Sequence, residues 1–361
     1  MRKHRFRHLL VLLLLLLAGA GAVRAWFYID GQVQPILVPM NQAYTGYSNL
    51  PKKVLGLHLE PFTFRGWDGG DMQAVLVTKE GEESSRQLTV MSDLSANPVE
   101  KLEVIDYVLV CVDWDHGIRS ALPLAETFTA AGLRCVLWDP RGQENRRAYC
   151  THGLRESQDV PLLIDALAKR CERSHPVIVA VGQGYGAGLM LQAAAQDKRI
   201  QGLAVIDAYA SLRQSVRRML PDSLFTPVIL ELMDLRMERT AGMECFDVAP
   251  VEQASFIDRN VPVLVIHLTL DNPVCTLADT LTIYHRLRSD RREVWAILNE
   301  ASLPALSSRQ RDVLPDVKRL FDEDTAMTSL VHWLDGPVAE AILSPRIADP
   351  ARPVPSSDLH L

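Results

Sequence analysis

From residue 108 onward, short unbroken apolar runs alternate with stretches of helical periodicity. The runs are VLVCV (108–112), CVLW (135–138), VIVAV (177–181), GLAVIDA (202–208), VPVLVIHL (261–268) and EVWAIL (293–298). Strands that are apolar at every position are covered on both faces, as in parallel sheets. Helices fit near 122–131, 158–172, 187–197, 276–288 and 326–334. Strands alternating with such helices predict βαβ units, hence an α/β class with a mainly parallel sheet of about eight strands. Earlier in the chain the pattern differs. Val54–Arg65 and Gln73–Thr78 flank Gly66-Trp67-Asp68-Gly69-Gly70, which predicts a hairpin, and Arg86–Ser92 could add a short strand. Residues 211–250 break the rhythm with a charged, Met-rich stretch and predict a small helical insertion.

The termini follow other rules. MRKHRFRH carries Arg2, Lys3, Arg5 and Arg7 and no acid, and LLVLLLLLLAGAGAV (9–23) follows it. A basic start, an apolar run and small residues at Val23 and Ala25 predict a signal peptide or a retained membrane anchor over residues 1–25. Either places the remainder outside the cytoplasm, because the basic end stays inside. Residues 26–50 read as an irregular linker, 51–336 as one domain, and 337–361 as a flexible Pro-rich tail.

Composition changes this picture little. The chain has 361 residues, 48% of them hydrophobic, enough for a large core. Its net charge of −6 argues against a nucleic-acid partner. The six cysteines form no C-x-x-C pair; an exported protein could pair some of them, but spacing does not say which.

The densest chemical signal is Gly182-Gln183-Gly184-Tyr185-Gly186, between the VIVAV run and the helical LMLQAAAQD. A strand, a glycine-rich turn and a helix are the context of the nucleophile elbow G-x-S-x-G. Gly184 stands where the serine belongs. Around it come LPLAETFTAAGLRCVLWDPRGQ (122–143), YCTHGLRESQDV (149–160), QGLAVIDAYASL (201–212) and PVLVIHLTLDNPV (262–274). In this order the segments resemble the α/β-hydrolase superfamily, closest to bacterial envelope-associated serine hydrolases of the acyl-peptidase and esterase-like branch. The resemblance runs from about Leu55 to Gly336.

That resemblance implies a Ser, Asp, His triad, and each position can be tested. Gly184 fills the nucleophile position. Asp271 fills the acid position. Ser302 falls at the base position, and no histidine occurs from Arg286 through Val331, while His285 and His332 lie within predicted helices. The loop after the 108–112 strand carries Asp113, Asp115 and His116 where the family has a small-residue oxyanion loop. Carboxylates there would oppose a forming oxyanion. These three could also ligate a metal, but their spacing is loose, and neither a metal nor any other cofactor is expected. Cys150 and Ser211 lie near strand ends without a glycine elbow and are poor substitutes for the serine.

The reading that follows is a catalytically inactive hydrolase homologue of the cell envelope, acting as a binding or scaffold protein. An unconventional or residual esterase or peptidase is the first alternative, and a purely structural envelope protein the second. Its partner would be an unknown small molecule or envelope protein, with membrane contact through the N-terminal segment if that is uncleaved. Ligands of open α/β sheets bind beyond the carboxyl ends of the strands. This expectation gathers Asp113, Trp114, Gly184, Tyr185, Tyr209 and Asp271 around one mouth. Met219, Met233, Met237 and Met243 of the insertion would either form an adaptable surface there or pack an ordinary lid.

Overall fold

A computed structural model describes residues 21, 23–37, 53–54, 56–81, 104–113, 117–142, 149–171, 175–269, 272–298, 306, 308–320, 322–339 and 341. In chain order, helix α1 covers residues 23–37. Strands β1 (Lys53–Val54), β2 (Leu57–Arg65), β3 (Asp71–Lys79) and β4 (Tyr107–Cys111) follow. Next come α2 (Ile118–Ala130), β5 (Cys135–Trp138), α3 (Asp159–Ala168), β6 (Ile178–Gln183), α4 (Tyr185–Gln196) and β7 (Ile200–Ile206). The insertion holds α5 (Leu212–Met219), α6 (Thr226–Ala241) and α7 (Pro250–Ala254). The chain then continues with β8 (Val263–His267), α8 (Leu277–Arg286), β9 (Arg292–Ala296), α9 (Ser308–Arg311), β10 (Val317–Arg319) and α10 (Glu323–Trp333).

The ten strands form one sheet in the order β1-β2-β3-β5-β4-β6-β7-β8-β9-β10. β1 to β3 are antiparallel, β3 joins β5 antiparallel, and every later pairing is parallel. The unbroken apolar runs are explained by what covers each face. Leu109 and Cys111 of β4 enter one core with α3, α4 and α8, while Val108 and Val110 enter a second with α2 and α10.

The hairpin turn is tied down electrostatically. Arg141, just beyond β5, reaches Asp68 in the turn and the fully buried Asp159 at the start of α3. These contacts hold the Asp68 carboxyl down at about 2, chiefly through the guanidinium hydrogen bond.

Three expectations change. Residues 26–37 are helical rather than an irregular linker, and Ile29, Val33, Ile36 and Leu37 are buried. Their spacing of four, three and one puts them on one helical face, which packs on the insertion. The packed chain also runs past Pro337, where a flexible tail was expected, because Val338 and Ala339 are buried against the sheet. β10 adds a strand that the sequence pattern does not announce. All six cysteines are free. Arg86–Ser92 and the run 9–20 lie outside the described residues. No helix among the described residues is long and apolar enough to cross a membrane.

Candidate functional site

The elbow is built by backbone approach. At Gly184 φ is 55° and ψ −117°, a conformation that is strained for any residue with a Cβ. Its N–H donates to the Ile206 carbonyl at 2.9 Å, pinning the turn beside the end of β7. Gly182 and Gly186 are needed for closeness: a Cβ on Gly182 would lie 2.6 Å from Ala187 Cα, and one on Gly186 2.5 Å from the Cys111 carbonyl carbon. The strand, turn and helix are in place, and the residue at the tip carries no side chain.

Something else fills that space. β4 and β6 run parallel with Cys111 opposite Gly182. Two residues further on, the same register brings Asp113 opposite Gly184. A Cβ built on Gly184 would fall inside the Asp113 carboxylate, 2.5 Å from its carbon. The backbone N–H of Tyr185, the donor that an active relative would offer to an oxyanion, donates instead to Asp113 Oδ1 at 3.1 Å. One carboxylate thus fills the space above Gly184 and accepts the Tyr185 N–H. An oxyanion forming here would meet like charge and would find its donor occupied.

Beyond the elbow lies a buried polar knot. Tyr185 and Tyr209 are each 3% exposed, and His152 is 2% exposed. The ring of His152 meets those of Tyr185 and Tyr209 edge-on, with centroids 5.7 and 6.3 Å away. His152 Nε2 lies 3.1 Å from the carbonyl of Ile36 in α1, and its Nδ1 lies 3.4 Å from the Tyr209 hydroxyl. A carbonyl only accepts, so Nε2–H donates to Ile36 and Nδ1 accepts from Tyr209. Burial, partly opposed by the Ile36 bond, pushes the His152 pKa down to about 4. His152 adopts φ 54° in a turn held by Glu156, whose carboxylate accepts from the N–H groups of Thr151 and Gly153. Burial raises the pKa of Glu156 despite these bonds.

The structure sets Asp113 against Gly184 and Tyr185, and sets Tyr185 and Tyr209 against His152. It buries both tyrosines and leaves Asp113 partly exposed. The tyrosines turn inward beneath α1 and the insertion, where Met233 and Met237 pack with Ile29, Val33 and Tyr209. Met219 is exposed, and Met243 is partly buried against the same cluster. Trp114, Asp115, His116, Asp271 and Ser302 lie outside the described residues. No group of three metal-ligating side chains occurs among the described residues. Cys150 is fully buried, and burial drives its thiol pKa well up. Ser211 sits in extended backbone at the start of α5, not on an elbow.

One pair escapes sequence reading. Asp207, at φ 49° just after β7, has Oδ1 3.2 Å from His267 Nδ1 and accepts from Leu268 N–H at 2.8 Å and the Thr269 hydroxyl at 2.5 Å. Burial would raise its pKa, but contacts with His267, Thr269 and Leu268 outweigh it and hold the carboxyl below its usual range. The sign was a charged residue ending an apolar strand. The Thr269 hydroxyl and the Leu268 N–H both donate hydrogen bonds to Asp207, which ties the β7 and β8 exits together.

Several solved structures share this architecture. An esterase of Pyrococcus furiosus superposes with a TM-score of 0.54 at 13% identity, over 83% of this chain and 97% of that one. An acylaminoacyl peptidase of Pyrococcus horikoshii gives 0.50 at 15% identity, over 81% of this chain and 44% of that one. A hypothetical protein of Pseudomonas aeruginosa gives 0.50 at 13%, over 79% and 95%. No protein-family model and no curated sequence matches the chain. The chain has the α/β-hydrolase fold.

Proposed function

We propose that this chain is a hydrolase fold that has given up hydrolysis and serves as a binding or scaffold protein of the cell envelope. The observation that carries the reading is Asp113, which stands in the nucleophile's space and accepts the Tyr185 N–H. The solved neighbours include an esterase and a peptidase, whose names describe those proteins. With Tyr185 and Tyr209 buried, the working surface is the lid formed by α1 and the insertion rather than the cleft below it. The basic and Leu-rich N-terminal sequence supports placement outside the cytoplasm.

A fluorophosphonate probe tests the chemistry. The purified protein is expected to stay unlabelled and to leave simple esters intact. Labelling that disappears when one serine is replaced would overturn the proposal. A phosphatase reporter fused after residue 50 tests the location, with activity expected only outside the cytoplasm.

A further inference from the structure

Helix α6 is apolar on two opposite faces. Its inner face buries Leu230, Met233 and Met237 in the lid core. Its outer face continues from Phe225 through Val228, Leu232 and Leu235, at steps of three, four and three residues, which is one stripe along a helix. Phe225 is 73% exposed, Val228 56%, and Leu232 and Leu235 42% each, with Leu224 at 95% just before them. Single exposed apolar residues are ordinary; a continuous stripe marks an interaction surface.

The stripe does not stand alone. Its Leu232 and Leu235 line one side of a groove of about 280 Å³ whose other lining includes Trp26 and Ile29 of α1 with Arg236 and Arg239. Arg236 is held by Asp30 and lies over the Trp26 ring, which fixes the aromatic at the groove's rim. Phe27, beside it, is 69% exposed. Immediately upstream runs the uncharged segment 9–23. Two residues separate Val23 from Trp26, a span of at most about 10 Å. Whatever apolar phase receives that segment therefore lies beside the groove and the stripe. Exposed Trp and Phe at such a boundary are what a bilayer interface selects, and an apolar helix face beside them lies in the interfacial plane.

We infer that the outer face of α6, with Trp26 and Phe27, docks on a phospholipid bilayer. The lid is thereby a second membrane contact besides the N-terminal segment. This rests on the reading that the lid, not the cleft, is the working surface, but not on the loss of hydrolysis.

The test uses the full chain in vesicles of phosphatidylcholine and phosphatidylglycerol doped with a phospholipid carrying a diazirine on its acyl chain. After irradiation, adducts are mapped by mass spectrometry. Adducts are expected at 224–235 and at Trp26-Phe27, as well as within 9–23. Leu232→Asp with Leu235→Asp should reduce those on α6 at least fivefold, leave those within 9–23, and keep the melting temperature, because both side chains are exposed. Adducts confined to residues 9–23 would overturn the inference. So would cross-links joining the α6 stripes of two copies, or the stripe to another protein, in place of lipid. Fluorophosphonate labelling without loss of the lipid adducts would overturn the inactive reading alone.

Discussion

Asp113 and Gly184 depend on each other, and the dependence can be measured. Replacing Gly184→Ser introduces a Cβ into the Asp113 carboxylate and into a positive-φ position. Overpacking of this kind typically costs about 1–3 kcal/mol. Thermal or urea unfolding should show that loss. Asp113→Gly alone leaves the Tyr185 N–H without this acceptor, at a cost of roughly 1 kcal/mol. The two changes together should cost less than their sum, and additive losses would refute the contact. No activity should return, because no histidine lies between Arg286 and Val331 to serve as base. His152 supplies a second residue-scale test. Its folded pKa of about 4 lies below the ordinary 6.5, so the unfolded chain binds the extra proton first. Stability is therefore full above pH 6.5, falls as pH drops towards 4, and levels off below, by roughly 3 kcal/mol in all. His152→Asn, which tolerates positive φ, should flatten that part of the pH–stability profile.

The elements differ in how far local pattern defines them. The elbow was legible because strand, turn and helix lie within twenty residues and each glycine has a local task. The Asp113 plug was not, because it depends on the register between β4 and β6, beyond whose ends residues 113 and 184 lie 71 positions apart in sequence. Helix α1 was hidden by Gly31 and Pro35, which interrupt a face that only the insertion completes. β10 is three residues long, too short for alternation to show. Two element-scale predictions follow from packing. Met233 and Met237 hold α6 to α1, so either replaced by alanine should cost about 2–5 kcal/mol in chemical unfolding. Arg141→Ala would strand the buried Asp159 beside the hairpin. Removing one partner of a buried pair costs about 3–5 kcal/mol, and faster amide exchange should appear first in β2 and β3.

At the scale of the whole molecule, the sheet alternation identified the fold class, while the packing of the lid on Tyr209 and His152 escaped it. That packing is a sum of contacts among α1, α5 and α6 that no single segment carries. The cysteines belong to the same scale. Five of the six are buried, and burial raises the thiol pKa of Cys111, Cys135, Cys150, Cys245 and Cys275. Thiolate is the reactive form. Iodoacetamide on the native protein should therefore modify Cys171 alone, and reductant should leave the melting temperature unchanged. Modification of the other five before unfolding would mean that the closed lid and cores open in solution.

The crossed pairing at the elbow also has an evolutionary consequence. A serine arising at position 184 would meet the carboxylate, and a small residue arising at 113 would leave a hole beside Gly184. Each single change is expected to be less stable than the present pair, so the two positions constrain each other. Descendants of this chain should keep Gly184 and Asp113 together, or have changed both. Sequences holding a serine at the elbow should carry a small residue at the end of β4. A lineage with serine at 184 and aspartate at 113, folded and stable, would break that rule.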